Sequence, residues 1–213
     1  MKCLSMATMK LSLRELAKTT QDVYERNAAR FDNERPKDMH ERIWIDRFLD
    51  PLPKGGRVLD LGCGAAEPIG AYMAELGYSV IGIDASTAMI DIARTRAPEG
   101  DWRLADMRNL NLPERFHGII GWNSFFHLTR EEQRQVLPRL AAHLLPSGVL
   151  MLTVGPEDGE VDGHVGDDAV YHSSLALDEY KSILLSVSME IVDFVAEDPN
   201  CDFQTVLMAR KLV

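Results

Sequence analysis

The chain has 213 residues and a mass of 23.9 kDa, enough for one domain with a full hydrophobic core. Its 46% hydrophobic and 26% charged residues are ordinary for a soluble globular protein, and a formal net charge of −10 opposes the clustered Lys and Arg that nucleic-acid binding requires. No apolar run approaches the roughly 20 residues that span a bilayer and no apolar h-region follows the N-terminus, so no membrane partner is expected and the cytoplasm is the expected location.

Leu13, Leu16, Ala17, Val23, Tyr24, Ala28 and Phe31 recur at helical spacing, and Ile43, Trp44 and Phe48 form a second stripe after Pro36. Two helices are thus expected before the first strand. Residues 1–50 read as a helical cap of the same domain, and 51–213 as its main body. Arg57 to Leu61 reads as a strand, then Ile69, Tyr72, Met73 and Leu76 as a helix closed by Gly77. Tyr78 to Ile83 is the next strand, and Ser86 caps a helix carrying Met89, Ile90 and Ala93 that stops before Pro98. Trp102 to Ala105 and Gly118 to Trp122 are further strands. Thr129 and Glu132 make a capping box for a helix bearing Val136, Leu140 and Leu144, with Pro138 inside it. Pro146, Ser147 and Gly148 turn into the strand Val149 to Val154. Gly155 to Asp168, rich in Gly and Asp and without periodicity, reads as a long loop over a binding edge. A helix from Leu177 to Val187 and strands Ile191 to Val195 and Gln204 to Ala209 close the chain.

Strands alternating with helices imply right-handed crossovers and a mostly parallel, doubly wound sheet. In such a sheet the ligand lies outside the carboxyl ends of the strands, where strand order reverses. Asp60 to Gly64, Asp84, Asp106 and Trp122 to Phe126 all fall at strand ends and should share one cleft. Two spaced glycines, Gly62 and Gly64, let a ligand approach the backbone. A dinucleotide fingerprint would need glycine where Glu67 stands, at the mouth of an anion site, and no Gly-Lys-Ser/Thr follows to make a P-loop. Acids at these strand ends suit a ligand with an ammonium, a sulfonium, ribose hydroxyls and an adenine, which is the inventory of S-adenosylmethionine.

The blocks VLDLGCGAAEP, VIGIDAS, WRLADM, GWNSFFHL and LLPSGVLML, in that order, resemble the class I S-adenosylmethionine-dependent methyltransferases of the small-molecule branch. The likeness runs from about Tyr24 to the C-terminus and includes the closing pair YHSSLALDEY and VAEDPNCDFQTVLMARK. It implies a Rossmann-like α/β fold, a seven-stranded, mostly parallel sheet whose last strand is antiparallel, with an N-terminal helical cap. It implies S-adenosyl-L-methionine as cofactor. Gly62 and Gly64 would admit its methionine moiety, Asp60 would support the ammonium, and Asp84 with Ala85 would meet the ribose. Asp106 would take the adenine amine, Met107 would offer a backbone amide and Met89 would pack on the ring. Trp122 and Asn123 would line the site by the sulfonium, and Tyr24, in YERNAARF, would close over the cofactor. Three positions depart from the family pattern: Ala66 for a third glycine, His117 for an Asp, and Ser188-Met189 for Gly-Phe.

No residue compels a catalytic role. His127 is a candidate base or a structural donor, and Tyr171 and His172 are candidates for substrate contact or loop anchoring. His164 with Asp162, Asp167 and Asp168 reads as a solvated cluster, so no metal is expected. The same holds for the 13 acids against one base between Glu157 and Asp202. Cys3, Cys63 and Cys201 are too scattered for a disulfide framework or a zinc knuckle, and Cys63 reads as a small packed residue. Arg30, Arg35, Lys37 and Arg42 on the cap point to an anionic acceptor. The expected activity is methyl transfer to a small molecule by a monomer or homodimer. A non-catalytic S-adenosylmethionine-binding regulator and an NAD-dependent oxidoreductase stay open as alternatives.

Overall fold

The computed structural model describes residues 11–213, so Cys3 and the first ten residues of the expected cap lie outside the described residues. Helix α1 (Leu13–Glu34) starts at a capping box in which Ser12 and Glu15 satisfy each other's amides, and α2 (Arg42–Leu49) buries Trp44, Ile45, Phe48 and Leu49. Then follow β1 (Arg57–Leu61), α3 (Ile69–Glu75), β2 (Ser79–Asp84), α4 (Thr87–Arg96), β3 (Asp101–Leu104) and β4 (Phe116–Gly121). The chain continues through α5 (Arg130–His143), β5 (Leu144–Val154), β6 (Gly159–Val165), β7 (Asp168–Ser174), α6 (Leu177–Ser186), β8 (Met189–Asp198) and β9 (Gln204–Lys211). The main sheet has seven strands in the order β3-β2-β1-β4-β5-β9-β8, with β9 antiparallel to both neighbours and the other pairs parallel. Strand order reverses between β1 and β4.

Side-chain alternation divides the core between the two faces of this sheet. Leu59, Ile119, Leu150 and Leu152 pack with Leu137, Leu140, Tyr180 and Leu184 of α5 and α6. Their sequence neighbours Val58, Ile120 and Met151 point the other way, onto Trp44, Phe48 and Met73 of α2 and α3. Both faces are therefore covered, as parallel strands of this apolar character require. Gly118 lets α2 approach closely, since a Cβ there would lie 2.5 Å from the Phe48 ring.

Three expectations are corrected. Gly155 to Asp168 is not a long loop: β6 and β7 form a separate antiparallel hairpin in register from Gly159 and Ser174 to Val165 and Asp168. Its two-residue turn is Gly166-Asp167, with Gly166 at φ 58°, the conformation such hairpin turns demand. Strand β5 begins at Leu144 rather than Val149, and Pro146 to Gly148 form an irregularity inside it, with Ser147 at φ 61°. Strand β8 is longer than Ile191 to Val195 and runs to Asp198, whose carboxylate accepts from the Trp44 indole at 2.8 Å.

Helix α1 lies between the hairpin and α4. Val23 packs against Val165 and Val170 of the hairpin, the Tyr171 amide donates to Thr20 Oγ1 at 2.9 Å, and Asn27 donates to Asp168 at 2.8 Å. On the other side Arg96 forks onto Asp32 at 2.9 and 2.5 Å. Among the described residues no helix is long and apolar enough to cross a membrane.

Candidate functional site

The turn after β1 is pinned on two sides. Gly62 and Cys63 donate their amides to Ile83 O of β2 at 2.7 and 3.0 Å, and Ser124 Oγ, beyond β4, donates to Leu61 O at 2.5 Å. Gly62 sits at φ 69° with Ser124 so close that a Cβ would meet it at 2.5 Å, so a side chain is excluded by both conformation and space. Cys63 is buried, and burial pushes its thiol well above the ordinary range, so it is a packed residue.

Beneath α1, at the carboxyl ends of β1 to β4, lies a cavity of about 150 Å³. It is lined by Tyr24, Gly62, Gly64, Asp84, Ala85, Met89, Asp106, Met107, Trp122 and Asn123, ten of the residues singled out in the sequence. Asp60 lies behind it, 4% exposed, and burial pushes its carboxyl up to about 7. Asp84 accepts the Gly64 amide at 2.9 Å on one oxygen and the Ser86 amide at 2.8 Å on the other. Each oxygen keeps a lone pair for a ligand hydroxyl. Burial raises the Asp84 carboxyl as well, against the lowering effect of those amides. Asp106 accepts the Arg108 amide at 2.9 Å and its guanidinium at 2.6 Å, so it reaches the cavity already paired.

Glu67 does not face this cavity. Its carboxylate lies 3.3 Å from Arg96 and 3.4 Å from Lys37, and these cations hold it on the outside of the turn. Ala66, at φ 66°, is also turned away and packs with Cys63, Ile90, Ala93 and Trp102. The departure from a third glycine therefore places a side chain at a left-handed position without narrowing the cavity.

Helix α1 contributes residues to this site that the sequence does not assign to it. Gln21 donates to Ala85 O at 3.0 Å and accepts from Arg108 at 2.9 Å, bridging two sides of the cleft. Glu25 accepts from Ser86 Oγ at 2.6 Å, and Phe31 and Arg35 line the wall. Gln21, Tyr24, Ala28, Phe31 and Arg35 recur at helical spacing, so the signal for Gln21 was the α1 stripe itself, whose apolar members and Arg35 the sequence already marks.

Of the catalytic candidates, His127 lines the cavity but has both ring nitrogens engaged. Nδ1 lies 2.9 Å from the Tyr171 carbonyl, which only accepts, so Nδ1 carries the proton and Nε2 accepts from the Tyr24 hydroxyl at 2.8 Å. Burial, with His172 nearby, lowers the His127 pKa to about 4, so the ring is neutral near pH 7. Tyr171 does not hang from a loop: its ring is buried, its hydroxyl bonds Glu160, and it lines neither cavity. His172 lines a second cavity, of about 390 Å³, which shares Tyr24, Phe31, Arg35, Trp122 and Asn123 with the first.

Residues 58–148 match a family model described as a methyltransferase domain. A trans-aconitate 2-methyltransferase of Variovorax paradoxus is 30% identical over 136 residues, 63% of this chain and 50% of the relative. A dTDP-3-amino-3,6-dideoxy-alpha-D-glucopyranose N,N-dimethyltransferase of Streptomyces fradiae is 34% identical over 102 residues, 47% of this chain and 40% of the relative. The chain thus spans about half the length, or less, of these relatives. The fold is shared with CalS10, an amino pentose methyltransferase of Micromonospora echinaspora solved with S-adenosylmethionine bound, at a TM-score of 0.67 and 20% identity over 89% of this chain and 96% of that one.

Proposed function

We propose that this chain, whose residues 58–148 carry a methyltransferase domain, binds S-adenosylmethionine in the first cavity and passes its methyl group to a small molecule held in the second. The observation that carries this reading is Asp84, buried at the end of β2 beside the switch point, with one lone pair on each oxygen left for the two hydroxyls of a ribose. Positive-φ glycines at 62 and 64 leave room for the methionine moiety and Met89 offers an apolar wall to the adenine, whereas Asp60, expected at the ammonium, lies behind the cavity and does not line it. The second cavity shares its Trp122 and Asn123 wall with the first, which supports turnover over binding alone.

S-adenosylmethionine supplies an electrophilic methyl on a sulfonium, displaced in line by the acceptor's lone pair. The chain's part is alignment and exclusion of water, and holding two reactants in near-attack geometry is worth about 7 to 11 kcal/mol. Helix α1 and the hairpin cover the site for that purpose. His127 serves as a support for Tyr24 rather than as a base, since neither of its nitrogens is free.

An anionic acceptor draws little support from the cap bases. Arg30 is matched by Glu34 at 2.8 Å, Lys37 by Asp32 at 3.1 Å, Arg42 by Asp46 at 3.6 Å and Arg35 by Glu41 at 3.0 Å. Equilibrium titration with S-adenosylhomocysteine tests the reading: wild type should bind, and Asp84→Asn should bind at least about tenfold more weakly. Equal affinity in the two proteins would remove Asp84 from the site and the reading with it.

A further inference from the structure

We propose that the acceptor is an amine, held at the junction of the two cavities by the carboxamide of Asn123, and that methylation stops at the tertiary amine. This rests on the methyl-transfer reading above. Asn123 belongs to both cavities, is fixed at φ 50°, and donates its amide to Thr153 Oγ1 at 2.7 Å. Its Oδ1 is buried without a hydrogen-bond partner among the described residues. A buried, unpaired acceptor costs about 1 to 3 kcal/mol, and a ligand N–H or O–H at the junction would remove that cost.

Chemistry separates these two donors. A carboxamide accepts a hydrogen bond but takes no proton, so a hydroxyl held by it stays a weak, protonated nucleophile. Neither imidazole beside the junction relieves this: His127 has both nitrogens engaged, and His172, in the wall of the second cavity, is packed against the Phe126 and His127 rings and made a weaker base by burial. A neutral amine held through one N–H keeps its lone pair free for attack. That lone pair forms the new N–C bond while the C–S pair returns to sulfur, giving S-adenosylhomocysteine and an ammonium that loses its N–H proton to water. The wall of the second cavity also opposes an anion, because Glu34, Glu41 and Asp202 stand against Arg35 alone among its carboxylates and guanidinia. A primary amine has an N–H for the first and second transfers. A tertiary amine has none, and Oδ1 would again be unpaired, so a third transfer is opposed.

The test uses the full chain with S-adenosylmethionine and two matched series as probes: glucosamine, glucose and glucuronate, then benzylamine, benzyl alcohol and benzoate. S-adenosylhomocysteine formation and product mass are followed, with cofactor binding measured separately. The expected result is faster transfer to the amine of at least one series, with dimethylated and no quaternary product. Asn123→Gly, which keeps the positive φ, should lower amine kcat/KM at least about tenfold beyond any loss in its separately measured S-adenosylhomocysteine affinity, and Asn123→Asp should restore part of the rate. Faster transfer to a hydroxyl or carboxylate partner, a quaternary product, or no transfer to either amine by protein that binds the cofactor would overturn the inference. Failure to bind the cofactor at all would instead overturn the reading on which it rests.

Discussion

Replacing Asp60 by Asn should stabilise the ligand-free protein, and by more at high pH than at low. Asp60 closes β1 at 4% exposure, and burial lifts its pKa from 3.8 to about 7, opposed by Arg35 and reinforced by Asp84. Because the folded value lies above the unfolded one, the stability this group contributes is complete at low pH and is lost as pH rises through about 7. At about 1.4 kcal/mol per pKa unit, the ionised carboxylate costs the fold about 4 kcal/mol at pH 8 and somewhat under 2 kcal/mol at pH 5. Asn has the same shape and no charge to bury, so its advantage over wild type should grow by about 2 to 3 kcal/mol between those two pH values. Urea unfolding of both proteins at pH 5, 6, 7 and 8 measures the difference, in which the titration of every unaffected group cancels. A difference that stays flat, or that shrinks toward pH 8, would refute the claim that the carboxylate is held against ionisation. If Asp60 meets the ammonium of the cofactor, S-adenosylhomocysteine at pH 8 should stabilise wild type more than Asp60→Asn, narrowing the gap.

Tyr24→Phe leaves His127 Nε2 an unpaired buried acceptor; a loss of about 1 to 3 kcal/mol in thermal or denaturant unfolding is expected, together with weaker cofactor binding. Ala66→Gly trades relief of left-handed strain at φ 66° against a buried methyl and a more flexible unfolded chain, terms of about 1 kcal/mol each. Its stability should change by under about 1 kcal/mol and its cofactor affinity should hold or rise modestly; a large loss of affinity would mean the turn is wrongly placed. Gly166→Ala puts a Cβ 2.6 Å from Arg30 at φ 58° and should destabilise by about 1 kcal/mol or more, with faster proteolysis of α1 as the readout.

The fold was legible wherever one local rule dominated. The capping box at Thr129 and Glu132, the Ser86 cap and the apolar strands around Val58 and Ile119 each carry their own signal. The hairpin was hidden because its first strand is polar and carries two glycines and its second alternates poorly, so the period-2 pattern of Val161, Gly163 and Val165 against Glu160, Asp162 and His164 is faint. Gly166-Asp167 was its one strong local mark. At the site, strand ends predicted which acids and glycines would meet, because parallel topology forces those ends together. What stayed invisible were contacts across long sequence distances: Gln21 and Glu25 to the segment 85–88, Glu67 drawn outward by Lys37 and Arg96, and Tyr171 turned from the cleft by Glu160. Those depend on where α1 and the hairpin dock, which no local spacing encodes.

The central claim is that the first cavity accepts a sulfonium nucleoside rather than a dinucleotide. Isothermal titration calorimetry with S-adenosylmethionine, S-adenosylhomocysteine and NAD, on wild type and Asp84→Asn, tests it most directly. Binding of the first two by wild type, weakened in the variant, with no heat from NAD, is the predicted result; binding of NAD alone would contradict it.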